Sequence, residues 1–578
     1  MTAAHYDHII ELPKTSPVDS PVDSKQIAQD WLSRLELIFQ SGNFSQIEDI
    51  FNEDSWWRDI ISLQWDFRTI HGRENIERFL QANRAHGPIS CFKLQEDGHF
   101  QPKLEIVKED TGFAWVSSLF HFETRIGRGS GVLRLTQEEP GKWKAFSVYT
   151  SLQELKGFEE PLGENRAYGT LDSMPGAWKR EHGQSGLNLG ARLQSLGIST
   201  LIVEKNDRVG DNWRNRYRTL VTHDPAEFTH TAYLPFPKNW PQFTPKDKLA
   251  DWFENYASIM ELNIWTKTQV KSSTYEDSKG QWTIDLVRDG KPRTVRPHHV
   301  VFCTGHAGEP LIPSFPGRMI SRYDVKGKKV LVVGTGNSGH DISENFYQNG
   351  AEVTMLQRSG TYVLTLDKGV FILHEGMHCE NGPPTEQSDI VGESLPFPVQ
   401  FALNIDMTKR IANEERENIE GLERAGFKFE WGIDRSGIAR LYYTRGGGYY
   451  VDVGCSKLII DGKIKMHQSP GGITGFARDA VVLKDGTHLN ADIVVLATGY
   501  DNMKTTVQKV MGSKVAERCN DVWDLDVEGE LNSIWRPSGH PNFWFMGGNL
   551  ALCRIYSKYL ALQIKAAVEG LRPSSIPN

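Results

Sequence analysis

The stretch KKVLVVGTGNSGHDISENF, residues 328–346, leaves little choice of local fold. Val330 to Val333 are an unbroken apolar run, Gly334-Thr335-Gly336-Asn337-Ser338-Gly339 follows, and a helical pattern begins at once. This order predicts a buried parallel strand, a tight glycine turn and a helix. The first glycine makes the turn, the second lets backbone approach a pyrophosphate, and the third lets helix and strand pack closely. The helix start adds free N–H groups and a positive dipole end, which suit phosphates. A bare GxGxxG says little, but here AEVTMLQRSG (351–360) supplies the next strand. That strand runs into Arg358 rather than an acid. An arginine there can pair with a 2′-phosphate, which favours NADPH over NADH. Gly334, Gly336, Gly339 and Arg358 are therefore the expected NADPH-binding residues, while Asn337 and Ser338 either contact the nucleotide or shape the turn.

With 578 residues the chain is too long for one core. A formal net charge of −8, with no block of like charges, argues against a nucleic-acid partner. None of the six cysteines forms a CxxC pair, so no zinc ribbon or redox disulfide is expected, and no metal site. The N-terminus has no apolar leader and no run is long enough to span a membrane, so a cytoplasmic protein is expected.

Residues 1–25 read as a disordered tail carrying the tandem SPVDSPVDS. Residues 26–155 read as a separate α+β unit: two helical segments, then strand-like runs such as GFAWVSSLFHFET and WKAFSVYT. Helices followed by a curved antiparallel sheet resemble an NTF2-like or SnoaL-like cone. Trp56, Trp57, Asp59, His71 and His121 either line a pocket there or form its core, the commoner fate of such aromatics. Residues 156–175 read as a linker.

A second glycine elbow is present only in its later half. Gly183-Gln184-Ser185-Gly186 leads into LNLGARLQSLG, an amphipathic helix, and STLIVEK, a strand ending in Glu204. Gly183 and Glu204 are 21 positions apart (204 − 183), close to the roughly 20-residue offset of a ribose-binding acid. What precedes is Lys179-Arg180-Glu181-His182, with no apolar strand. Glu181 stands where the first glycine belongs, and a carboxylate repels a pyrophosphate. Either a short segment is absent from this sequence or the strand is rebuilt from elsewhere. HHVVFCTGHAGEP (298–310) and ADIVVLATGYD (491–501) are two further apolar strands closing on Thr-Gly, read here as parts of one sheet. FWFMGGNLA (543–551) gives a strand, two glycines and a helix start. TRGGGYYVDVG (444–454) is glycine-rich but runs into a strand, so it reads as a hairpin rather than a phosphate loop. The apolar stretches at 363–376 and 394–404 read as core or tunnel wall rather than a membrane contact.

From about 183 to 570 the pieces GQSGLNLGARL, VEKNDRVGDNWRNRY, PKNWPQFTPKDKLADW, VLVVGTGNSGHDI, LATGYDN and WFMGGN, in this order, resemble the flavin-containing monooxygenase family. The likeness is to YUCCA-like and fungal members fused to a SnoaL-like N-terminal domain. One motif departs from the family: Phe315 and Gly317 are kept, but Ser321 stands where a histidine is expected. The resemblance implies an α/β fold with two dinucleotide-binding, Rossmann-like domains behind the cone. The FAD domain would span 176–320 and 491–578, and the NADPH domain, with an insertion, 321–490.

It also implies the reaction. NADPH reduces bound FAD, the reduced flavin takes up O2 as a C4a-hydroperoxide, and one oxygen passes to a small organic substrate, as in secondary metabolism. A flavin-free or impaired relative that binds only NADPH or a ligand is the alternative. On the resemblance, Gly183, Gly186 and Glu204 hold the ADP part of FAD. Asp211, Asn212, Trp213 and Arg214 lie near the flavin, Thr498 and Gly499 near the hinge between sites, and Gly548 and Asn549 at the ring. Asn212 and His223 are the catalytic candidates, with His306 and His340 as further acid–base candidates; a lone histidine is more often structural or on the surface. An oligomer is compatible with all of this.

Overall fold

The structure, a computed structural model, describes residues 7–13, 15, 18, 21–83, 88–108, 110–162, 165, 184–218, 220–305, 309–313 and 325–572. Gly183, the segment before it, His306 and the 314–324 motif with Ser321 lie outside the described residues.

The N-terminal unit opens with the helix Ser24–Ser41, whose first turn is capped by the Asp23 carboxylate accepting from Gln26 N–H at 3.0 Å. Its apolar stripe, Ala28, Trp31, Leu32, Leu35, Ile38 and Phe39, recurs at helical spacing and is buried. Together with the helix Arg73–Ala82 it covers one face of a seven-stranded sheet. The sheet order is Phe67–His71, Phe51–Ile60, Lys142–Leu155, Gly127–Glu139, Phe113–Glu123, Ser90–Leu94, with Lys103–Lys108 also on Phe113–Glu123. Every pairing is antiparallel except Phe51–Ile60 with Lys142–Leu155.

Neighbouring residues on a strand point to opposite faces, so the expected pocket residues do not converge. Trp57 packs under the helices, its Nε1–H on Thr150 Oγ1 at 2.9 Å. Asp59 is buried beside it, accepting from Thr150 Oγ1 and from Leu63 N–H. Trp56 faces the other way, stacked on His71 at 3.8 Å. His121 lines a separate open cavity of about 500 Å³, with Lys93, Arg128 and Lys558.

The second face of this sheet lies against the rest of the chain. Leu119, Val132, Tyr149 and Leu152 join one core with Tyr556, Tyr559 and Leu560 of the last helix, Leu550–Val568. Trp56, Trp115 and Phe146 pack on Val399 of the helix Phe397–Glu414, so the apolar 394–404 stretch is core at this junction. Ile10 and Leu12, read as tail, lie on the same cluster. Buried polar contacts cross the junction too. Arg58 is a fork to Glu530, with Nε at 2.7 Å and a second nitrogen at 2.9 Å, and Thr69 Oγ1 donates to the same carboxylate.

Four parallel strands in the order Ile464–Gln468, Glu352–Gln357, Lys329–Val333, Ile493–Leu496 form the second α/β sheet. The strand Ile493–Leu496 thus belongs with Lys329–Val333, not with the flavin sheet as expected. An apolar strand ending in Thr-Gly does not encode which sheet it joins. The 444–454 stretch is not a hairpin either. Gly446 caps the helix Ile438–Arg445 in the left-handed region, and Tyr449–Asp452 pairs in parallel with Tyr362–Thr365.

The first α/β unit has its sheet in two pieces: Ile202–Val203 with Ile264–Trp265, and Val300–Phe302 with Phe543–Phe545, both parallel. Ile202 and Glu204 donate to the first partner strand and Val300 to the second. Alternation therefore turns the N–H and C=O of Val203 and Val301 to the free edges. Among the described residues no strand lies between those edges.

Candidate nucleotide and flavin site

The complete elbow divides its glycines by role. A Cβ on Gly334 (φ 115°) would lie 2.3 Å from Ala497 O, and one on Gly339 2.3 Å from Gly334 O. Both positions admit only glycine because backbone fills the space. A Cβ on Gly336 would meet nothing nearer than Tyr449 O at 3.8 Å, so this side is open for a phosphate. The helix Asn337–Gln348 starts there. Asn337 is a turn-shaping residue: its Oδ1 accepts from Val451 N–H at 2.8 Å. Arg358 is exposed just past the strand Glu352–Gln357, whereas Gln357 is buried and tied to the backbone of Lys428. These residues fit NADPH at its pyrophosphate and at its 2′-phosphate.

The other elbow is described from Gln184 onward, with Gly183 outside. A Cβ on Gly186 would lie 3.3 Å from Ile202 Cγ2 and 3.8 Å from Cys303 Cβ, so the helix Gln184–Ser195 begins between the two sheet pieces. Gly190, which sequence reading passed over, lets that helix onto its strand, since a Cβ there would lie 2.6 Å from Ile202 Cδ1. Glu204 sits at the strand end, accepting from Asn206 N–H at 2.8 Å, and burial raises its carboxyl above the usual range. At the opposite end Gly547 approaches Gly305 O, and Gly548 (φ 107°) packs so close that a Cβ would lie 2.9 Å from Leu552 Cβ. Asn549 caps the last helix by accepting from Leu552 N–H, and its Nδ2 donates to Asp224 at 3.3 Å. Cys553 Sγ lies 3.4 Å from Ser185 Oγ. Glu204 at its strand end, the helix start at Gln184 and the close-packed Gly547 and Gly548 fit FAD, within the residues described.

Other expected residues are engaged elsewhere. Arg214 pairs with Asp211, Asp251 and Glu254, which fixes the 211–214 turn on the helix Lys246–Ile259. Trp213 is half-buried against that helix's core, and Asn212 is exposed. Thr498 Oγ1 donates to Leu311 O at 2.5 Å, and Leu311 N–H donates to Gly499 O, so both residues tie the crossover between units. His340 stacks on Tyr450 at 3.7 Å with Nδ1 on Gly336 O; burial lowers it to about 4, so it is a neutral structural ring.

A cluster of titratable groups that no motif announced joins the two glycine elbows' surroundings. Tyr217 OH donates to Asp341 on the helix Asn337–Gln348. His223, also lowered by burial, is flanked by the Asp341 and Asp224 carboxylates. Asp224 meets His374 at 3.6 Å. Arg554 forks onto Asp389, which also receives His378. These groups come from distant parts of the chain, so no local spacing shows them.

A family model described as "Flavin-binding monooxygenase-like" matches residues 201–372. The chain is 28% identical over 342 residues to the indole-3-pyruvate monooxygenase YUCCA1 of Oryza sativa subsp. japonica, covering 57% of this chain and 77% of the relative. It is 30% identical over 341 residues to the probable indole-3-pyruvate monooxygenase YUCCA3 of Arabidopsis thaliana, covering 55% and 71%. The chain belongs to the flavin-binding monooxygenase-like family. As a member of that family it is a flavin-dependent monooxygenase, an oxidoreductase with FAD and NADPH as cofactors. Among solved structures, the closed crystal structure of cyclohexanone monooxygenase aligns with TM-score 0.48 and 16% identity, over 67% of this chain and 83% of that one. No helix among the described residues is long and apolar enough to cross a membrane.

Proposed function

We propose that this chain is an NADPH- and FAD-dependent monooxygenase that transfers one atom of O2 to a small organic molecule, in secondary metabolism. The observation that carries the reading is the complete elbow, with Gly336 open on its outer side, joined through Tyr217 and Asp341 to the half that ends in Gly548 and Asn549. When bound, FAD supplies the redox chemistry and the activation of O2. The chain's own residues bind and orient. Gly336 and the helix behind it receive the NADPH pyrophosphate and Arg358 the 2′-phosphate. Glu204 accepts from the FAD ribose, and Gly186 brings a second helix start to the FAD phosphates. Asp224, held by Asn549 and His374, walls the ring side. His223 stays neutral at physiological pH because burial lowers it, and is available as an acceptor. The N-terminal unit is read as an NTF2-like cone serving as a platform for the last helix.

One observation favours a second reading, a flavin-free relative that binds only NADPH: the facing free edges at Val203 and Val301. The visible spectrum of the purified full-length protein separates the two. Near-stoichiometric FAD released on heating supports the monooxygenase reading. Colourless protein that cannot be reconstituted with FAD, yet binds NADPH, overturns it in favour of the second.

A further inference from the structure

Four arginines are fully buried among the described residues: Arg58, Arg134, Arg440 and Arg554. Three have a carboxylate within ion-pair distance: Glu530, Asp434 and Asp389. Arg134 has none among the described residues. It lies on the strand Gly127–Glu139, on the face turned to the rest of the chain, and is 5% exposed. One terminal nitrogen donates to Ser394 Oγ at 2.8 Å. The other, Nη1, is buried without an acceptor. The acid with most influence on it, Glu105, is already held by Trp115 Nε1, Ser117 Oγ and Lys103 Nζ, each at 2.8 Å.

Directly opposite on the neighbouring strand stands Ser147, whose buried Oγ also has no partner. Two buried donors therefore sit side by side, one of them cationic. The walls are Trp115, with its ring 5.3 Å from the guanidinium carbon, and the buried Trp56 and Phe146 of the same cluster. Burial lowers Arg134 to about 10, so the group is still charged at neutral pH. An uncompensated buried charge is costly, and native proteins pair it. A water would answer the hydrogen bonds but not the charge.

We propose that Arg134 and Ser147 hold a monovalent anion of halide size where the N-terminal sheet meets the flavin unit. Trp56, Trp115, Phe146 and Val399 are all buried in one cluster around this place, so the proposed occupant is a small one. Such an ion would stabilise the junction by binding the folded state alone.

The test uses the full-length protein, melted in sodium chloride and in sodium gluconate at equal ionic strength. The melting temperature should rise saturably with chloride, not with gluconate. Ser147→Ala keeps the cation and removes one donor, and should raise the chloride midpoint about fivefold. Arg134→Met should abolish the chloride dependence; if that variant does not fold, Ser147→Ala decides. Bromide soaked into crystals should give an anomalous peak beside Arg134 Nη1. Equal melting in the two salts, an unchanged midpoint in Ser147→Ala, or a crystal with only a water at this position would each overturn the proposal.

Discussion

Gly336→Ala and Gly339→Ala add the same methyl group three positions apart, and should fail in opposite ways. At Gly336 the backbone is extended (φ −82°, ψ −173°), which alanine adopts freely, and the nearest atom to a new Cβ is 3.8 Å away. The folded protein should lose at most a few tenths of a kcal/mol, the usual range for an uncrowded site. The methyl would stand where a pyrophosphate must approach, so NADPH affinity should fall at least tenfold, about 1.4 kcal/mol. At Gly339 the new Cβ would be 2.3 Å from Gly334 O, a backbone atom that moves only if helix and strand part. Overpacking of this kind costs about 1–3 kcal/mol. Thermal melting without nucleotide and NADPH titration by tryptophan quenching separate the two. Gly336→Ala should melt like the parent and bind weakly; Gly339→Ala should melt several degrees lower. Wild-type NADPH affinity in Gly336→Ala, or an unshifted melt in Gly339→Ala, would refute the division of roles.

Arg358→Ala should narrow the preference for NADPH over NADH by at least about tenfold in KM, roughly the worth of one charge-assisted contact; an unchanged ratio places the 2′-phosphate elsewhere. Arg58→Met leaves Glu530 buried and unpaired, and should cost about 3–5 kcal/mol, while Arg58→Met with Glu530→Leu should recover much of it in denaturant unfolding of the N-terminal unit. Asp59 is raised from 3.8 to about 7 by burial. Its neutral form is thus favoured by folding, so stability is fullest below the unfolded pKa and falls as pH rises from about 4 through about 7. Asp59→Asn should flatten that part of the stability–pH curve, and an unchanged slope would show that another group carries it.

What sequence reading reached, and what it missed, follows from the range of each interaction. The roles of Gly334, Gly336 and Gly339 were legible because strand, turn and helix are contiguous. The place of Glu204 at a strand end was legible in STLIVEK, because strand and acid are contiguous. The strand Ile493–Leu496 was placed in the wrong sheet because pairing with Lys329–Val333 joins residues over 150 positions apart, and no local pattern records the partner. Alternation along Phe51–Ile60 would have separated Trp56 from Trp57, a signal present in the sequence and not used. Asp211 and Arg214 were assigned to the flavin by resemblance, but Asp251 and Glu254, on a helix more than thirty positions on, take up Arg214. Tyr217 and Asp341, 124 positions apart, carry no motif that links them.

The Arg58–Glu530 fork joins residues 472 positions apart. Synthesis runs at about 5–20 residues per second, so Arg58 emerges roughly 25–95 s before its partner carboxylate. Through much of that interval one face rests under its own helices, while Arg58, Tyr149 and Leu152 await the helix Leu550–Val568, made some four hundred residues later. A nascent chain of this protein therefore carries an aromatic-rich, uncovered surface for most of its translation, and its yield in a cell should depend on chaperone capacity more than its finished stability suggests.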